Sequence, residues 1–311
     1  MEEDKQNVKQ SVSRFLHTES LYEMLPPSGK VLVLDKDLCL LDVIELSLGH
    51  RQDVALIWDP ENLNFVGVVT DRDLLEIIIS QYSEDDMELE ELQIITKLKL
   101  KTLSVWREET SQSGFIAVTS DDNLLSATQL LKNNHLHRIP IIEPKQNLVL
   151  GILSMEAVLR FFVENYVADS TLFDLPLKEF NIGTTQNITT ISSDATLIQA
   201  LRVMANNKLS SLPLLDETNR VAGVLFLSDI PQIIRSGNYL TPQTSILTVL
   251  GEINNESEDY GLSRFGIITE DDTMKTMIQK LAASHERKLY KLNDNRLEMI
   301  ITESDLFGYF I

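Results

Sequence analysis

Cysteine is almost absent. Cys39 is the single one in 311 residues. One thiol cannot close an internal disulfide, and it excludes a cysteine-rich zinc site. Cys39 falls in an apolar helical pattern and reads as a buried thiol, not a nucleophile. Positive charge is scarce as well: Lys and Arg number 27 against 47 Asp and Glu, a formal net charge of −20. Such a surface repels nucleic acid and anionic membrane, so neither is expected as a partner. Any bound anion then needs a locally basic pocket, and the few basic residues beside loops become informative. No apolar run approaches the ~20 residues needed to cross a bilayer. The opening Met1-Glu2-Glu3-Asp4 has no basic n-region and no apolar h-region, so no secretory signal is expected. The expectation is an intracellular soluble protein, cytoplasmic, with the nucleus left open. The sequence also lacks a nucleophile elbow, a Walker loop, a metal cluster and a glycine-rich dinucleotide loop. Its acids have no spacing that pairs them as acid and base. A binding module is favoured over an enzyme.

What is present is a globular composition, 43% hydrophobic and 24% charged. Residues 1–20 are polar and read as a flexible or docked arm. Apolar residues at 38, 40, 41, 43, 44, 46 and 48 fit one helix face, ended by Gly49. Val54–Trp58 and Phe65–Val69 read as strands around a turn at 59–62, and Thr70-Asp71-Arg72-Asp73 opens a helix to about Tyr82. The acidic stretch 83–91 reads as a solvated helix start or loop. A helix-like segment follows, to Glu109. The same order returns with a helix near 122–133, strands at 138–142 and 148–153, and a helix at 155–165. Stretches 168–178 and 238–260 read as linkers holding Pro176 and Pro242.

The recurrence can be counted. Asp37, Asp121, Asp194 and Asp271 open the first helix of each unit. Nineteen residues later stand Leu56, Pro140, Pro213 and Tyr290; 11, 11, 10 and 9 residues further stand Gly67, Gly151, Gly223 and Met299. Six residues on again are Asp73, Ala157, Asp229 and Asp305. Two constant intervals held through four units argue internal duplication. The expected domains are an arm at 1–20 and repeats at 21–83, 107–167, 181–238 and 260–311. Each repeat alone exposes a sheet face, so repeats should pair and the pairs stack around a common axis.

The frame, strand-helix-strand-strand-helix, resembles the cystathionine β-synthase (CBS) domain. More specific stretches are Leu21-Tyr22-Glu23-Met24-Leu25-Pro26, Trp58-Asp59 with Phe65-Val66-Gly67, Trp106-Arg107-Glu108 and His137-Arg138-Ile139-Pro140. They continue with Ile182-Gly183-Thr184-Thr185-Gln186-Asn187-Ile188, Ser210-Ser211-Leu212-Pro213 and Ser304-Asp305. In that order they resemble the γ regulatory subunits of AMP-activated protein kinase and their yeast counterpart. The resemblance implies an α/β (α+β) fold of four CBS repeats, paired into two Bateman modules that form a flat disk. It implies AMP, ADP or ATP as ligands in CBS clefts and no other cofactor. It also implies a kinase catalytic α subunit and a β scaffold subunit as partners.

A nucleotide site needs a carboxylate for the ribose hydroxyls and positive charge for the phosphate. The ribose candidates are Asp73, Asp229 and Asp305, each at the start of a closing helix, where the helix adds N–H groups and partial positive charge. Repeat 2 has Ala157 there, as the family does, so its own site should be empty. The plainer reading is helix capping: Thr70-x-x-Asp73 and Thr302-x-x-Asp305 are capping boxes. Phe226 at the cap position before Asp229 weighs against it, although Ser228 could cap instead. The phosphate candidates are His137, Arg138, Ser210, Arg287, Lys288, Thr302 and Ser304. Here the plainer readings are a surface basic pair for His137-Arg138 and an exposed strand end for Arg287-Lys288. Two positions depart from the family: Asp53 replaces an arginine and Glu156 a phosphate-binding lysine. Each exchange is a swing of two charges, so one site is expected to be altered. The remaining histidines carry no ligand spacing, and Trp58 and Trp106 read as packing residues. The alternatives are a divergent γ-like structural subunit without nucleotide sensing, and a CBS-pair regulator of another enzyme or transporter. Trp106-Arg107-Glu108 and Ile182-Gly183-Thr184 argue against the last, because a generic pair needs neither.

Overall fold

The computed structural model describes residues 2–25, 29–50, 54–82, 91–110, 114–143, 145–146, 148–166, 171–254 and 260–311. Asp53, Pro26, Pro27 and nearly all of the acidic stretch (83–90) lie outside them. The chain opens with helix α1 (Glu2–Thr18). Repeat 1 then runs β1 (Leu32–Asp35), α2 (Leu40–His50), β2 (Val54–Asp59), β3 (Asn64–Thr70) and α3 (Asp71–Ile79), followed by α4 (Glu91–Leu100) and α5 (Leu103–Glu109). Repeat 2 is β4 (Val118–Thr119), α6 (Leu124–Asn133), β5 (Arg138–Glu143), β6 (Leu148–Ser154) and α7 (Met155–Asn165). Repeat 3 is β7 (Ile191–Ser192), α8 (Leu197–Asn206), β8 (Ser211–Leu215), β9 (Val221–Phe226) and α9 (Ile230–Arg235), with α10 (Ile246–Ile253) after it. Repeat 4 is β10 (Gly266–Ile268), α11 (Met274–Ala283), β11 (Lys288–Asn293), β12 (Arg296–Thr302) and α12 (Glu303–Phe310).

Each repeat forms its own three-stranded sheet, the first strand parallel to the second and the second antiparallel to the third. All four hairpins carry a register shift at one equivalent place, after Ile57, Ile141, Leu214 and Lys291. These residues pair with Gly67, Gly151, Gly223 and Met299. Beyond that bulge the chain takes six residues to return in repeats 1 and 2 (Trp58 to Phe65, Ile142 to Val149), five in repeat 3 (Leu215 to Val221) and four in repeat 4 (Leu292 to Leu297). The drift of the sequence interval from 11 to 9 is therefore confined to the hairpin tip. In repeat 4 the tip is Asp294-Asn295, both at positive φ (49° and 61°), the residue types that tolerate a two-residue turn matched to strand twist.

The chain divides into two units. The even-repeat unit comprises residues 1–30, 116–188 and 263–311, and the odd-repeat unit 31–115 and 189–262. Each has its own core. In the odd unit, Leu74, Leu75, Ile77 and Ile78 of α3 cluster with Ile198 and Leu201 of α8 and Ile233 of α9. In the even unit, Val158, Leu159 and Phe162 of α7 cluster with Met277 and Leu281 of α11 and Phe307 of α12. Helix packing thus joins alternate repeats.

Several expectations are corrected or resolved. The N-terminal arm is docked: Val8, Val12 and Leu16 recur every four residues along α1 and are buried in the even core, each contributing about 1.5–3 kcal/mol. Gly49 does not end α2. It stays helical, and His50 Nδ1–H donates to the Leu46 carbonyl (2.9 Å), closing the last turn instead. Cys39 is half-buried, not buried: it precedes α2, in an isolated bridge to Thr102, and takes no place on the helix's apolar face. The 238–260 linker holds α10, whose Ile246, Val249 and Leu250 sit at i, i+3, i+4 and are buried. Trp106 is buried as a packing residue.

Candidate functional site

Closing helices place the acids. In repeat 1, the Thr70 N–H and Oγ1–H both donate to Asp73 Oδ2 at 2.7 Å. In repeat 4, Thr302 makes the same two bonds to Asp305 Oδ2, 2.8 and 2.7 Å. In repeat 3 the hydroxyl is missing, yet the Phe226 N–H still donates to Asp229 Oδ2 at 2.8 Å. In repeat 2 Ser154 Oγ accepts from the Ala157 N–H (3.0 Å), a cap without an acid. So the three aspartates do cap their helices, each through Oδ2. Thr302, expected beside a phosphate, is committed to this box.

The second strand brings the phosphate candidates to the same end. The His137 carbonyl accepts from the Met155 N–H and the Ser210 carbonyl from the Leu227 N–H, both at 3.0 Å. These bonds tie the residue three before the proline position to the start of the closing helix. His137 is exposed, while Arg138, Ser210 and Ser304 are half-buried.

In the even unit two arginines meet on Glu156. Arg287 Nη2 donates to Glu156 Oε1 at 2.6 Å, and Arg160 Nη2 reaches the same oxygen at 2.7 Å from one turn further along α7. Arg287 also donates through Nη1 to the Ser284 carbonyl. Its backbone is left-handed (φ 53°), which costs a branched or long side chain of order 1 kcal/mol and persists only where contacts hold it. Lys288 is buried, its N–H on Ser284 Oγ (3.1 Å) and its Nζ on the Glu286 carbonyl (3.2 Å). The exposed strand end suggested by the sequence is therefore not what forms. Burial pushes the Glu156 carboxyl up, but the hydrogen bond and charge of Arg287, with the charges of Arg160 and Arg138, outweigh it and hold it below the ordinary value.

Glu303, in the first turn of α12, went unnoticed in the sequence. It is 9% exposed, and its Oε1 has no hydrogen-bond partner among the described residues. Burial pushes its carboxyl up to about 7. Lys288, Arg287 and Arg138 pull it down, and Glu156 pushes it further up. A signal was available, since Glu303 follows the cap residue of a closing helix, at the position of Glu156 minus one in the repeat frame.

The odd unit is arranged otherwise. Asp73 and Asp229 are 7% and 4% exposed. The cations of this unit's closing elements are arginines committed to backbone. Arg72 Nη2 donates to the carbonyls of Lys208 (3.0 Å) and Leu209 (3.2 Å). Arg107 reaches those of Val68 (3.3 Å) and Val66 (3.4 Å) and lies so close over Gly67 that a Cβ there would meet the guanidinium at 2.5 Å. Burial lowers the Arg107 guanidinium below its ordinary value, and the charge of Asp73 opposes that shift.

His137, Arg138, Arg287, Lys288, Thr302, Ser304 and Asp305 thus belong to the even unit, and Asp73, Asp229 and Ser210 to the odd one. No group of three or more metal-ligating side chains occurs among the described residues. Among them, no helix is long and apolar enough to cross a membrane.

The profile of the CBS domain matches residues 110–164 and 177–236. The chain is 24% identical to the γ subunit of 5′-AMP-activated protein kinase from Dictyostelium discoideum, over 97% of this chain and 53% of that one. It is 22% identical to the γ subunit from Saccharomyces cerevisiae, over 99% of this chain and 95% of that one. It therefore spans about half the length of the Dictyostelium relative and nearly all of the yeast one. Among solved structures, a Methanocaldococcus jannaschii protein described as an archaeal homologue of the same γ subunit superposes with a TM-score of 0.68. That match covers 94% of this chain and all of the other at 14% identity, a likeness of fold.

Proposed function

We propose that this chain, built of CBS repeats and similar from end to end to kinase γ subunits, is the non-catalytic regulatory subunit of an AMP-activated-type protein kinase. The observation that carries the reading is the alignment with the yeast subunit, which takes in 99% of this chain and 95% of its relative. In this reading the partners are a catalytic α and a β scaffold subunit in the cytoplasm, and the ligands are AMP, ADP and ATP. Asp73, Asp229 and Asp305 take ribose hydroxyls through Oδ1, since Oδ2 serves the helix cap. The basic pairs His137-Arg138 and Arg287-Lys288, with Ser210 and Ser304, face phosphate. Regulation is linkage: a nucleotide preferred by one arrangement of the heterotrimer shifts the population of active kinase. Calorimetry of the purified chain with AMP and with ATP tests it. Heat is expected with at least one of them, and none at protein well above ~10 μM sinks the sensing claim.

A second reading is favoured by the Glu156–Arg287 ion pair at 2.6 Å, which puts a protein carboxylate on a phosphate-facing arginine. There the chain is a structural γ-like subunit without nucleotide control. It predicts co-purification with kinase and scaffold subunits whose activity ignores AMP. A nucleotide effect on that complex eliminates it.

A further inference from the structure

Within the even unit, a groove of about 690 Å³ is lined by α1 from Gln6 to His17, by the end of α12 and by Leu125 of α6. Its apolar surface comes from Leu125, Tyr309 and Phe310. Its cations are Lys9, half-buried, and Arg14, exposed, and no Asp or Glu lines it among the described residues. Lys9 Nζ stands 4.1 Å from the centre of the Tyr309 ring. Lys132, in the last turn of α6, borders the groove at Gly308: a Cβ there would lie 3.6 Å from Lys132 Cε and 3.8 Å from its Nζ. The chain has 47 acids against 27 Lys and Arg, so an acid-free wall with three cations runs against its average. None of the three has an Asp or Glu three or four residues away in either direction, where a helix would balance it. Elsewhere in the even unit Arg160, Arg264, Lys280 and Lys291 each bond a carboxylate.

We propose that this groove docks an acidic amphipathic helix of a partner protein, its apolar face on Leu125, Tyr309 and Phe310 and its carboxylates against Lys9, Arg14 and Lys132. Charge complementarity selects the occupant. A surface with a net charge of −20 repels an acidic segment, and the groove is a place where that repulsion is reversed. The layout of the cations selects a helix. Lys9 and Arg14 are five residues apart, about 7.5 Å along α1, so positive charge is spread along the groove and not focused on one point. A single phosphate would meet one of them, whereas acids one turn apart on a helix, about 6 Å, meet both. The stretch from Gln6 to His17 is about 16 Å long, room for three turns of a docked helix. None of these residues belongs to the ribose or phosphate set, so the inference stands apart from the nucleotide reading.

The probe is a fluorescein-labelled, helix-forming peptide of about fourteen residues, with leucine along one face and glutamate on the rest. Fluorescence anisotropy with the full chain measures its binding, beside a control peptide in which lysine replaces every glutamate. Expected is saturable binding of the acidic peptide that weakens as salt is raised, and none of the basic one. The double reversal Lys9→Glu with Arg14→Glu should weaken binding about tenfold or more. Arg14→Glu with Lys132→Glu, which leaves the Lys9–Tyr309 contact in place, should do the same. Lys275→Glu with Arg296→Glu changes the net charge equally at exposed positions outside the groove, and should leave affinity within about twofold. Equal weakening by all three pairs would show attraction to bulk charge alone and overturn the proposal. So would equal binding of the basic peptide, or no binding of the acidic one to wild type. Binding to phosphatidylserine vesicles without peptide binding would assign the cations to a lipid surface, and overturn it too. A dimer seen by sedimentation, abolished by either groove pair and indifferent to the peptide, would assign the face to a second copy instead. Thermal unfolding of each variant establishes that it is folded.

Discussion

The odd and even units repeat one backbone frame and differ in how they place charge. In the odd unit the buried acids, Asp73 and Asp229, are short side chains that accept hydrogen bonds from the chain at their own helix start. Its arginines, Arg72 and Arg107, donate to carbonyls. In the even unit Asp305 is held in the same way, and two longer acids are added to it. Glu156 reaches across to Arg287, and Glu303 is buried with an unfilled acceptor. A carboxylate fed by local N–H groups is a stable fixture of the fold. A buried carboxylate with an unfilled acceptor is costly in its charged form, and its charge state becomes a variable.

The sharpest way to break this contrast is Glu303→Gln. Its folded carboxyl is pushed up to about 7 from an ordinary 4.5. A raised carboxyl stabilises the fold fully only below the unfolded value, and that contribution is lost as pH rises through about 7. Removing the charge should therefore stabilise the chain by on the order of 3 kcal/mol at pH 8, and by little near pH 4.5. Urea unfolding at the two pH values measures it. An equal gain at both would show that the burial of charge is not the cause.

The matching change in the odd unit, Asp229→Ala, should go the other way. It strands the Phe226 N–H in a buried position and should cost about 1–2 kcal/mol at neutral pH. Differential scanning calorimetry should find a lower melting temperature, and calorimetric titration a weakened nucleotide site. A variant with normal stability would mean that the cap bond contributes nothing.

Ala157→Asp tests whether the missing acid of repeat 2 is only a missing cap. With Ser154 already capping, an acid at this position should add about 0.5–1 kcal/mol by completing the box. Destabilisation instead would mean that nearby Glu156 repels it more strongly than the helix attracts it.

The smallest effect on stability is expected from Glu156→Gln. The Glu156 side chain is 37% exposed, so solvent screens its pair with Arg287, and the loss should stay within about 1 kcal/mol. Anion affinity, in contrast, should rise measurably. A large loss of stability with no gain in affinity would make Glu156 a structural residue alone.

Most of the fold was legible because its signals are local. The short apolar runs at 54–58 and 65–69, the apolar helix face at 38–48 and the fixed intervals of 19 and 6 residues each reflect a strand, a helix or a tight turn. The capping reading of Asp73 and Asp305 was legible for the same reason, since both partners lie within three residues. Two helices were underread. Val8, Val12 and Leu16 of α1 are diluted by polar neighbours, and Ile246, Val249 and Leu250 of α10 follow a proline-bearing stretch. The site was legible residue by residue and not as an arrangement. His137-Arg138 stood out as a pair, and Arg287-Lys288 was open to an ordinary surface reading. Nothing local marks Lys288 as buried, or Oε1 of Glu303 as lacking a hydrogen bond among the described residues.

What the sequence determined by itself is therefore the repeat, its strand and helix order, the acids at three of four closing helices and the shortage of cations to balance them. These depend on dihedral preferences, side-chain periodicity and hydrogen bonds that span a few residues. Only the tertiary structure decided that alternate repeats share a core and that Arg287 meets Glu156 across 131 residues. It alone decided that Glu303 and Lys288 are buried, because solvation depends on what surrounds a group and not on its neighbours in the chain.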